Sequence, residues 1–185
     1  NTATAAAARY PHLFSPIQIG PVTLRHRAIV SGHSMRLGDH TGVGERFRAY
    51  LTARARGGAA LVGIESAPVA PESQNFISPV ELFRDEVVDG IAKAADEVHA
   101  AGSLLSIILW HSGHNNTHHG GQVVIAPSAI PSPTSRGLPK AATEDDLRAV
   151  VAAYRAAAVR CRRAGVDVLE VQTATDYLLG SFLSP

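Results

Sequence analysis

The chain of 185 residues is 45% hydrophobic and 18% charged, a composition typical of one globular domain with a sizeable core. Its 17 basic and 16 acidic residues give a net charge of +1, which argues against nucleic-acid and anionic-membrane partners. A single cysteine excludes an internal disulfide and indicates a reducing, cytoplasmic compartment, and no window of about 18 apolar residues predicts a transmembrane helix.

The N-terminal segment differs in composition from the rest of the chain. Residues 1–12 are rich in Ala and lack the pattern of a secretory signal peptide, so we expect a flexible arm there. Residues 13–185 form the predicted domain. Its first part, 14–24, places short apolar runs around Pro16, Gly20 and Pro21, which predicts a small hairpin that caps the domain.

Four short apolar runs are each followed by polar residues, and we predict them as core strands at 28–30, 59–64, 104–110 and 166–171. Apolar residues recur at helical spacing between these runs, over 45–56, from 85 to 101 and from 143 to 164. The last helix begins with a capping signature, Thr143 with Asp146 three residues later. We expect it to bury Val151 and the lone Cys161.

The alternation of strands and helices predicts an α/β protein with a parallel sheet, whose polar strand ends share one face. An open doubly wound sheet and a (β/α)8 barrel both fit this alternation. No G-x-G-x-x-G follows the first strand, so the dinucleotide-binding version of the open sheet has no fingerprint. A complete barrel has eight strands in about 250 residues. The sequence therefore predicts half of a (β/α)8 TIM-type barrel, with four parallel strands.

Five segments occur in the order FSPIQIGPVTLRHRAIVSGHSM, YLTARARGGAALVGIESAPVAP, DEVHAAGSLLSIILWHSGH, APSAIPSP and AGVDVLEVQTATDYLLGSFLSP. Together they resemble the flavin-dependent old yellow enzyme family, in particular its trimethylamine-dehydrogenase and dienoyl-CoA-reductase branch. The resemblance covers about 13–185 and corresponds to the N-terminal half of the family's barrel. It implies FMN bound over the C-terminal mouth of the barrel. The implied chemistry is hydride transfer between NAD(P)H and an unsaturated substrate, or oxidation of N-methyl amines.

The resemblance assigns cofactor-binding roles to the ends of the first two strands. It implies that the backbone of Gly32, His33, Ser34 and Met35 runs along the flavin ring, where a glycine permits close approach. Ser66 matches the small residue that ends the second strand. Ser34 stands where the trimethylamine-dehydrogenase branch has a Cys bonded to the flavin, which excludes that covalent link. For His33, a backbone-satisfied position at the rim is the equally weighted alternative.

The resemblance also assigns catalytic and substrate-binding positions after the fourth strand. Tyr177 matches the family's proton donor, although a tyrosine packed at the barrel rim is the alternative interpretation. Gln172 and Thr175 stand where the family has a His-x-x-His or His-x-x-Asn pair that binds a substrate oxyanion. Gln172 can donate a hydrogen bond, but it cannot titrate near neutral pH as a histidine does.

The third strand departs from the family pattern at two positions. The family has a Gln that hydrogen-bonds the flavin pyrimidine edge, and Ile108 at that position can neither donate nor accept. His111 begins the H-x-G-R motif and is a candidate substrate contact, while His114 replaces the Arg. The histidines 111, 114, 118 and 119 would suggest a metal. We expect none, because no carboxylate or cysteine stands nearby at ligand spacing.

Three hypotheses follow. In the first, the chain is half of a split or truncated FMN-dependent oxidoreductase that requires a complementing half-barrel chain or a missing C-terminal segment, in a homo- or hetero-oligomer. FMN would then bind only in the completed barrel, with NAD(P)H as a reductant. In the second, the chain is a non-catalytic scaffold or regulatory subunit descended from that family. The third is a metal-dependent hydrolase built on the histidine cluster.

Overall fold

The computed structural model describes residues 2–39, 41–73, 80–116, 123–133 and 137–184. Its helices are α1 (Thr2–Arg9), α2 (Glu45–Arg56), α3 (Val88–Ala100), α4 (Glu144–Arg163) and α5 (Leu178–Leu183). Its strands are β1 (Ile17–Ile19), β2 (Val22–Leu24), β3 (Ile29–Val30), β4 (Leu61–Pro68), β5 (Leu104–Trp110), β6 (Ile125–Ala126), β7 (Lys140–Ala141) and β8 (Val168–Val171).

Four strands form one parallel sheet in the order β3-β4-β5-β8, with α2, α3 and α4 as the crossovers between them. This arrangement confirms the predicted α/β half-barrel. The main core lies between the sheet and these helices and includes the fully buried Phe47, Leu51, Ile91, Leu105 and Ile107. Burial of such side chains is the dominant favourable contribution to folding, at about 25 cal/mol per Å² of apolar surface.

The antiparallel hairpin of β1 and β2 closes the opposite end of the sheet from the polar strand ends. Leu24 packs on Ala60 and Leu61, at the amino end of β4, and half-buried Leu104 and Val168 join this cluster. The predicted cap hairpin is therefore confirmed, and the carboxyl ends of the strands remain available for a site.

The second predicted strand was too short. β4 continues to Pro68, because a bulge between Ile64 and Ser66 shifts the register against β5 without ending the pairing. Glu65 lies inside this bulge, so the charge that appeared to end the apolar run is accommodated within the strand. Bulges of this kind are frequent beside active sites, where they redirect a side chain.

The longest helix begins as predicted and packs differently from the prediction. Thr143 and Asp146 form a reciprocal capping box at its start. Cys161 is fully buried as expected, and burial raises the pKa of its thiol to about 12. The prediction that Val151 is buried was wrong, because this side chain is 69% exposed.

Two further features concern the ends of the domain and the long loop. The short parallel pair of β6 and β7, in the loop before α4, was not predicted. Residues 2–9 form α1, and the division into a flexible arm at 1–12 and a domain at 13–185 stays a prediction. Within the described ranges, every helix is too short or too polar to cross a lipid bilayer.

Candidate active site

Two glycines allow the end of β3 to lie in close contact with β4. A Cβ on Gly32 would overlap the carbonyl oxygen of Ile64 and lie 3.0 Å from Cδ1 of Ile108. A Cβ on Gly63 would overlap the backbone nitrogen of Gly32. Both positions therefore require glycine for packing between strands, and the backbone of Gly32 is fixed against the sheet.

A buried carboxyl group from the β4 bulge holds the segment after β3. Glu65 is 0% exposed, and its Oε2 accepts hydrogen bonds from the backbone N–H of Met35 at 2.7 Å and of Arg36 at 3.4 Å. Arg36 has a φ of 53°, a left-handed conformation uncommon for a residue with a side chain. Glu65 thus stabilises the backbone that the family resemblance predicts to run along a flavin, a role that was not predicted for it.

His33 lies on the α2 side of that segment. Its Nε2 is 3.3 Å from the hydroxyl of Tyr50, and its Nδ1 is 3.3 Å from the carbonyl oxygen of Ser31. The guanidinium of Arg54 lies 3.4 Å from the centroid of the Tyr50 ring. These contacts place the His33 ring against α2, and none of its described contacts is with Ser66, His111 or Tyr177. Ser34 is exposed.

His111 is buried at the end of β5 in a defined tautomer. Its Nδ1 accepts a hydrogen bond from the N–H of Gly113 at 3.1 Å, so the ring proton is on Nε2 and points toward Glu72 Oε1 at 3.4 Å. The hydrogen bond from His111 lowers the pKa of Glu72, in opposition to the effect of burial. Asn116 also donates to the Glu72 carbonyl at 2.8 Å. His111 is therefore committed to bracing the β4 and β5 exits.

Tyr177 lies beside Trp110, and the two rings meet edge to face with centroids 5.2 Å apart. The backbone N–H of Leu178 donates to the carbonyl of His111 at 3.1 Å, which ties the segment after β8 to the end of β5. Burial, and secondarily the Asp176 carboxylate, raise the pKa of Tyr177. The phenol is protonated at neutral pH, as an unperturbed tyrosine also is, and it can act as a proton donor.

The two substrate-binding candidates after β8 lie in different surroundings. The N–H of Gln172 donates to the Leu109 carbonyl at 3.0 Å, which extends the pairing with β5, and its side chain is half-buried. Thr175 is exposed and has a φ of 59°, a strained conformation for a β-branched residue. Such strain often accompanies functional loops.

The structure thus brings Tyr177, Trp110 and His111 together at adjoining strand exits. Ser66 pairs in register with Ile108 in the next strand, which places both at the same level of the sheet. Glu65, Glu72 and Asp176 are polar residues of this region that were not predicted as site residues. A charge inside an apolar strand run was a signal for Glu65, and a carboxylate directly before the motif tyrosine Tyr177 was one for Asp176.

The histidine cluster does not assemble around a metal in the part of the chain that the structure describes. No group of three or more potential ligands occurs there. His111 faces Glu72, whereas Nδ1 of His114 donates to the carbonyl of Ile130 at 3.1 Å. His118 and His119 lie outside the described residues.

The sequence model of the NADH:flavin oxidoreductase / NADH oxidase family matches residues 12–185 of the chain. The chain belongs to this family. It is 33% identical over 175 residues to the NADPH dehydrogenase of Bacillus pumilus (strain SAFR-032), which covers 94% of this chain and 51% of that protein. It is 33% identical over 176 residues to a probable N-methylproline demethylase of Rhizobium meliloti (strain 1021), which covers 94% of this chain and 26% of the relative.

Solved structures agree with this family assignment. A morphinone reductase in complex with tetrahydroNAD superimposes with a TM-score of 0.83 at 27% identity, covering 94% of this chain and 52% of the reductase. The amine oxidase HisD from Pseudomonas geniculata N1 gives a TM-score of 0.85 at 28% identity, covering 95% of this chain and 27% of the oxidase. The chain thus spans about half, or about a quarter, of the length of these relatives. The predicted resemblance and the half-barrel fold are both confirmed.

Proposed function

We propose that this chain is one half of an FMN-dependent oxidoreductase of the old yellow enzyme type, which becomes active when four further strands complete the barrel. The observation that carries the proposal is the combination of a family match over 12–185 with a parallel sheet of four strands in the described part of the chain. The complementing half is either a second chain or a C-terminal segment that continues this one.

The open edge of the sheet supports a complementing half. The sheet ends at β3 on one side and at β8 on the other, and apolar side chains at both edges are exposed. Ile29 is 50% exposed, Leu169 40% and Val171 51%. Unpaired strand edges with apolar surface are normally covered in native proteins. A helix packed against β8 would cover two of these three side chains, because Leu169 and Val171 pair with Ile107 and Leu109, which lie in the core between the sheet and the helices.

A carboxylate on β8 predicts which type of side chain the complementing half places against it. Glu170 of β8 accepts a hydrogen bond from the Ser106 hydroxyl at 2.6 Å, and it is half-buried with one flank of the barrel open. Closing the barrel would remove the carboxylate from water, which is costly unless a cation or hydrogen-bond donors compensate. We therefore expect the complementing strands to place a basic or donating side chain beside Glu170.

The residues of this half fit FMN in part. The backbone of residues 32–35 is fixed by Glu65, and Ser66 adds a hydroxyl at the same end of the sheet. Ile108 is 8% exposed, contacts the Gly32 position, and offers no hydrogen bond to a flavin edge. This half would therefore contact the ring mainly through its backbone. We expect the complementing half to hold the phosphate, so the chain alone should bind FMN weakly.

The bound flavin would supply the exchange of reducing equivalents between NAD(P)H and a substrate. In this half, Tyr177 would supply the proton, because its phenol is protonated at neutral pH and Trp110 restricts its orientation. Gln172 would donate a hydrogen bond to a substrate oxygen through its amide. His111 would not exchange protons with substrate, since Gly113 and Glu72 occupy its two ring nitrogens.

Complementation tests the proposal. The C-terminal half of the Bacillus pumilus NADPH dehydrogenase, the part that this chain does not match, is co-expressed with the chain and the complex is titrated with FMN. We expect a yellow complex that oxidises NADPH with an unsaturated ketone as acceptor, and Tyr177→Phe should slow the acceptor half-reaction only. A properly assembled complex that takes up no FMN would refute the proposal.

The second candidate is a non-catalytic subunit of the same descent, and Ile108 is the observation that favours it. At Ile108, Gln172 and Thr175, the chain lacks the three polar or titratable groups that the resemblance leads one to expect. If this candidate is right, Ile108→Gln combined with Gln172→His and Thr175→His leaves the activity of the assembly unchanged. A clear rise in activity would instead indicate a weakened but working site.

A further inference from the structure

A cavity lies beside the candidate active site, between the segment after β6 and the start of α5. Its volume is about 490 Å³. None of Tyr177, Trp110 and His111 lines it. Its wall is formed by His114, Ala126, Pro127, Ser128, Ile130, Thr175, Asp176, Ser181 and Ser184.

The carboxylate of Asp176 gives this cavity a negative charge. Its Oδ1 accepts a hydrogen bond from Asn115 Nδ2 at 2.8 Å and its Oδ2 accepts one from the Ser132 hydroxyl at 2.9 Å. Both donors are neutral, and no lysine, arginine or histidine forms an ion pair with Asp176 across the described ranges. The carboxylate is therefore rigidly oriented, half-buried and electrostatically uncompensated by the described residues.

The other polar groups of the cavity also present hydrogen-bond acceptors. Nδ1 of His114 donates to the Ile130 carbonyl, and its Nε2 lies 3.5 Å from the Ser181 hydroxyl. The Ser181 hydroxyl lies 3.1 Å from the carbonyl oxygen of Asp176 and 3.0 Å from that of Tyr177. Its single proton is used on one of these carbonyls, which leaves oxygen lone pairs for other contacts.

Apolar groups complete the wall. Ala126 is buried, Pro127 is half-buried, and Ile130 is 65% exposed at the rim. A ligand that complements this cavity must carry positive charge, must donate several hydrogen bonds, and must have a small apolar body. We propose that the cavity binds a small organic ammonium ion, with the ammonium group on Asp176 and the apolar substituent against Pro127 and Ile130.

This inference does not depend on the proposed oxidoreductase function, because it needs neither FMN nor a complementing half. A divalent metal ion fits less well, since the described residues of the wall supply one carboxylate and one imidazole as strong ligands. The ammonium site and the oxidoreductase function can therefore be refuted separately. A chain that binds the ammonium ion and takes up no FMN after complementation would support this site and refute the proposed function.

The test compares three probes of equal size on the purified chain, namely benzylammonium, benzyl alcohol and benzoate, by calorimetry and by NMR shifts of the Asp176 and Ser181 amides. We expect benzylammonium to bind at least about tenfold more tightly than benzyl alcohol, and benzoate not to bind. Asp176→Asn should weaken benzylammonium about tenfold or more, as expected for loss of a charge-assisted hydrogen bond. Asp96→Asn, which removes an exposed carboxylate from α3, is the matched control and should change nothing.

A second variant protects the test against a folding defect in Asp176→Asn. Ser128 is exposed at the cavity, so Ser128→Trp should fill the space, abolish benzylammonium binding and leave the unfolding transition intact. The proposal would be overturned if benzyl alcohol bound as tightly as benzylammonium, or if a folded Asp176→Asn bound benzylammonium unchanged. It would also be overturned if the cavity bound Mg²⁺ or Zn²⁺ and did not bind benzylammonium.

Discussion

The carboxyl group of Glu65 should determine whether the backbone after β3 keeps its shape. In Glu65→Ala, the N–H of Met35 loses its acceptor at 2.7 Å, and that of Arg36 loses a weaker contact at 3.4 Å. Leaving a buried donor without a partner costs about 1–3 kcal/mol. For a chain of this size, each kcal/mol lowers the melting temperature by about 2–4 °C, so we expect a decrease of roughly 2–12 °C.

Two measurements separate a local effect from general destabilisation. Thermal unfolding followed by circular dichroism gives the melting temperature, and hydrogen exchange gives the opening of the Met35 amide. Exchange at Met35 should accelerate roughly 5- to 150-fold, the equivalent of 1–3 kcal/mol. Glu65→Gln is the matched control, because its amide oxygen can accept the same hydrogen bonds, and it should retain most of the protection.

One result would refute this reasoning. If Glu65→Ala melts within about 1 °C of the unmodified chain and the Met35 amide exchanges at the same rate, the carboxyl group does not hold the segment. The backbone of residues 32–35 would then owe its position to the glycine contacts alone, and the assignment of a support role to Glu65 would be wrong.

Three other predictions follow from the packing and the pKa values. Gly63→Ala forces β3 away from β4 and should lower the free energy of unfolding in urea by about 1–3 kcal/mol, whereas Gly57→Ala, at a helix end with φ of −68°, should cost much less. The lowered pKa of Glu72 means that its stabilising contribution is complete above the ordinary glutamate pKa of about 4.3 and is lost as the pH falls through the lower folded value. The difference in free energy of unfolding between the chain and Glu72→Gln should therefore shrink between pH 6 and pH 3. A constant difference would contradict this. Cys161, with its pKa raised to about 12, should react with a thiol reagent at pH 8 only after unfolding, and rapid reaction of the native chain would show that the helix is not packed as described.

Hydrophobic periodicity predicted the elements that are regular and buried, and it failed where tertiary contacts alter a local pattern. The bounds of α2 and β5 were predicted to the residue, because their apolar repeats end at clear polar or glycine signals. The end of β4 was missed because Glu65 looks like a strand terminator, although the bulge buries it. Val151 has the spacing of a core residue, but no neighbouring helix covers it in the described part of the chain.

The candidate site was predicted for the residues that carry a family motif and missed for the residues that support them. Tyr177 and His111 stand in such motifs, and the structure places them at adjoining strand exits. Glu72 gives no signal in the sequence, because its role depends on a turn that lies against His111, 39 residues away along the chain. His33 stands in a motif as well, and its ring lies against Tyr50, a direction that the sequence cannot specify for an exposed side chain; its role at the flavin stays a prediction.

The strand exits are fixed to one another within this half of the barrel, which bears on how a complementing half would act. Val69 N–H donates to the Trp110 carbonyl at 3.0 Å, and the His111 carbonyl accepts from Leu178, so the exits of β4, β5 and β8 form one hydrogen-bonded rim. Glu65 ties the segment after β3 to the same rim. Because these contacts join residues of this chain only, the positions of Tyr177 and Trp110 do not require further strands. A complementing half would therefore add the missing cofactor contacts and cover the apolar edge at β8, and the geometry of this wall of the site would already be in place.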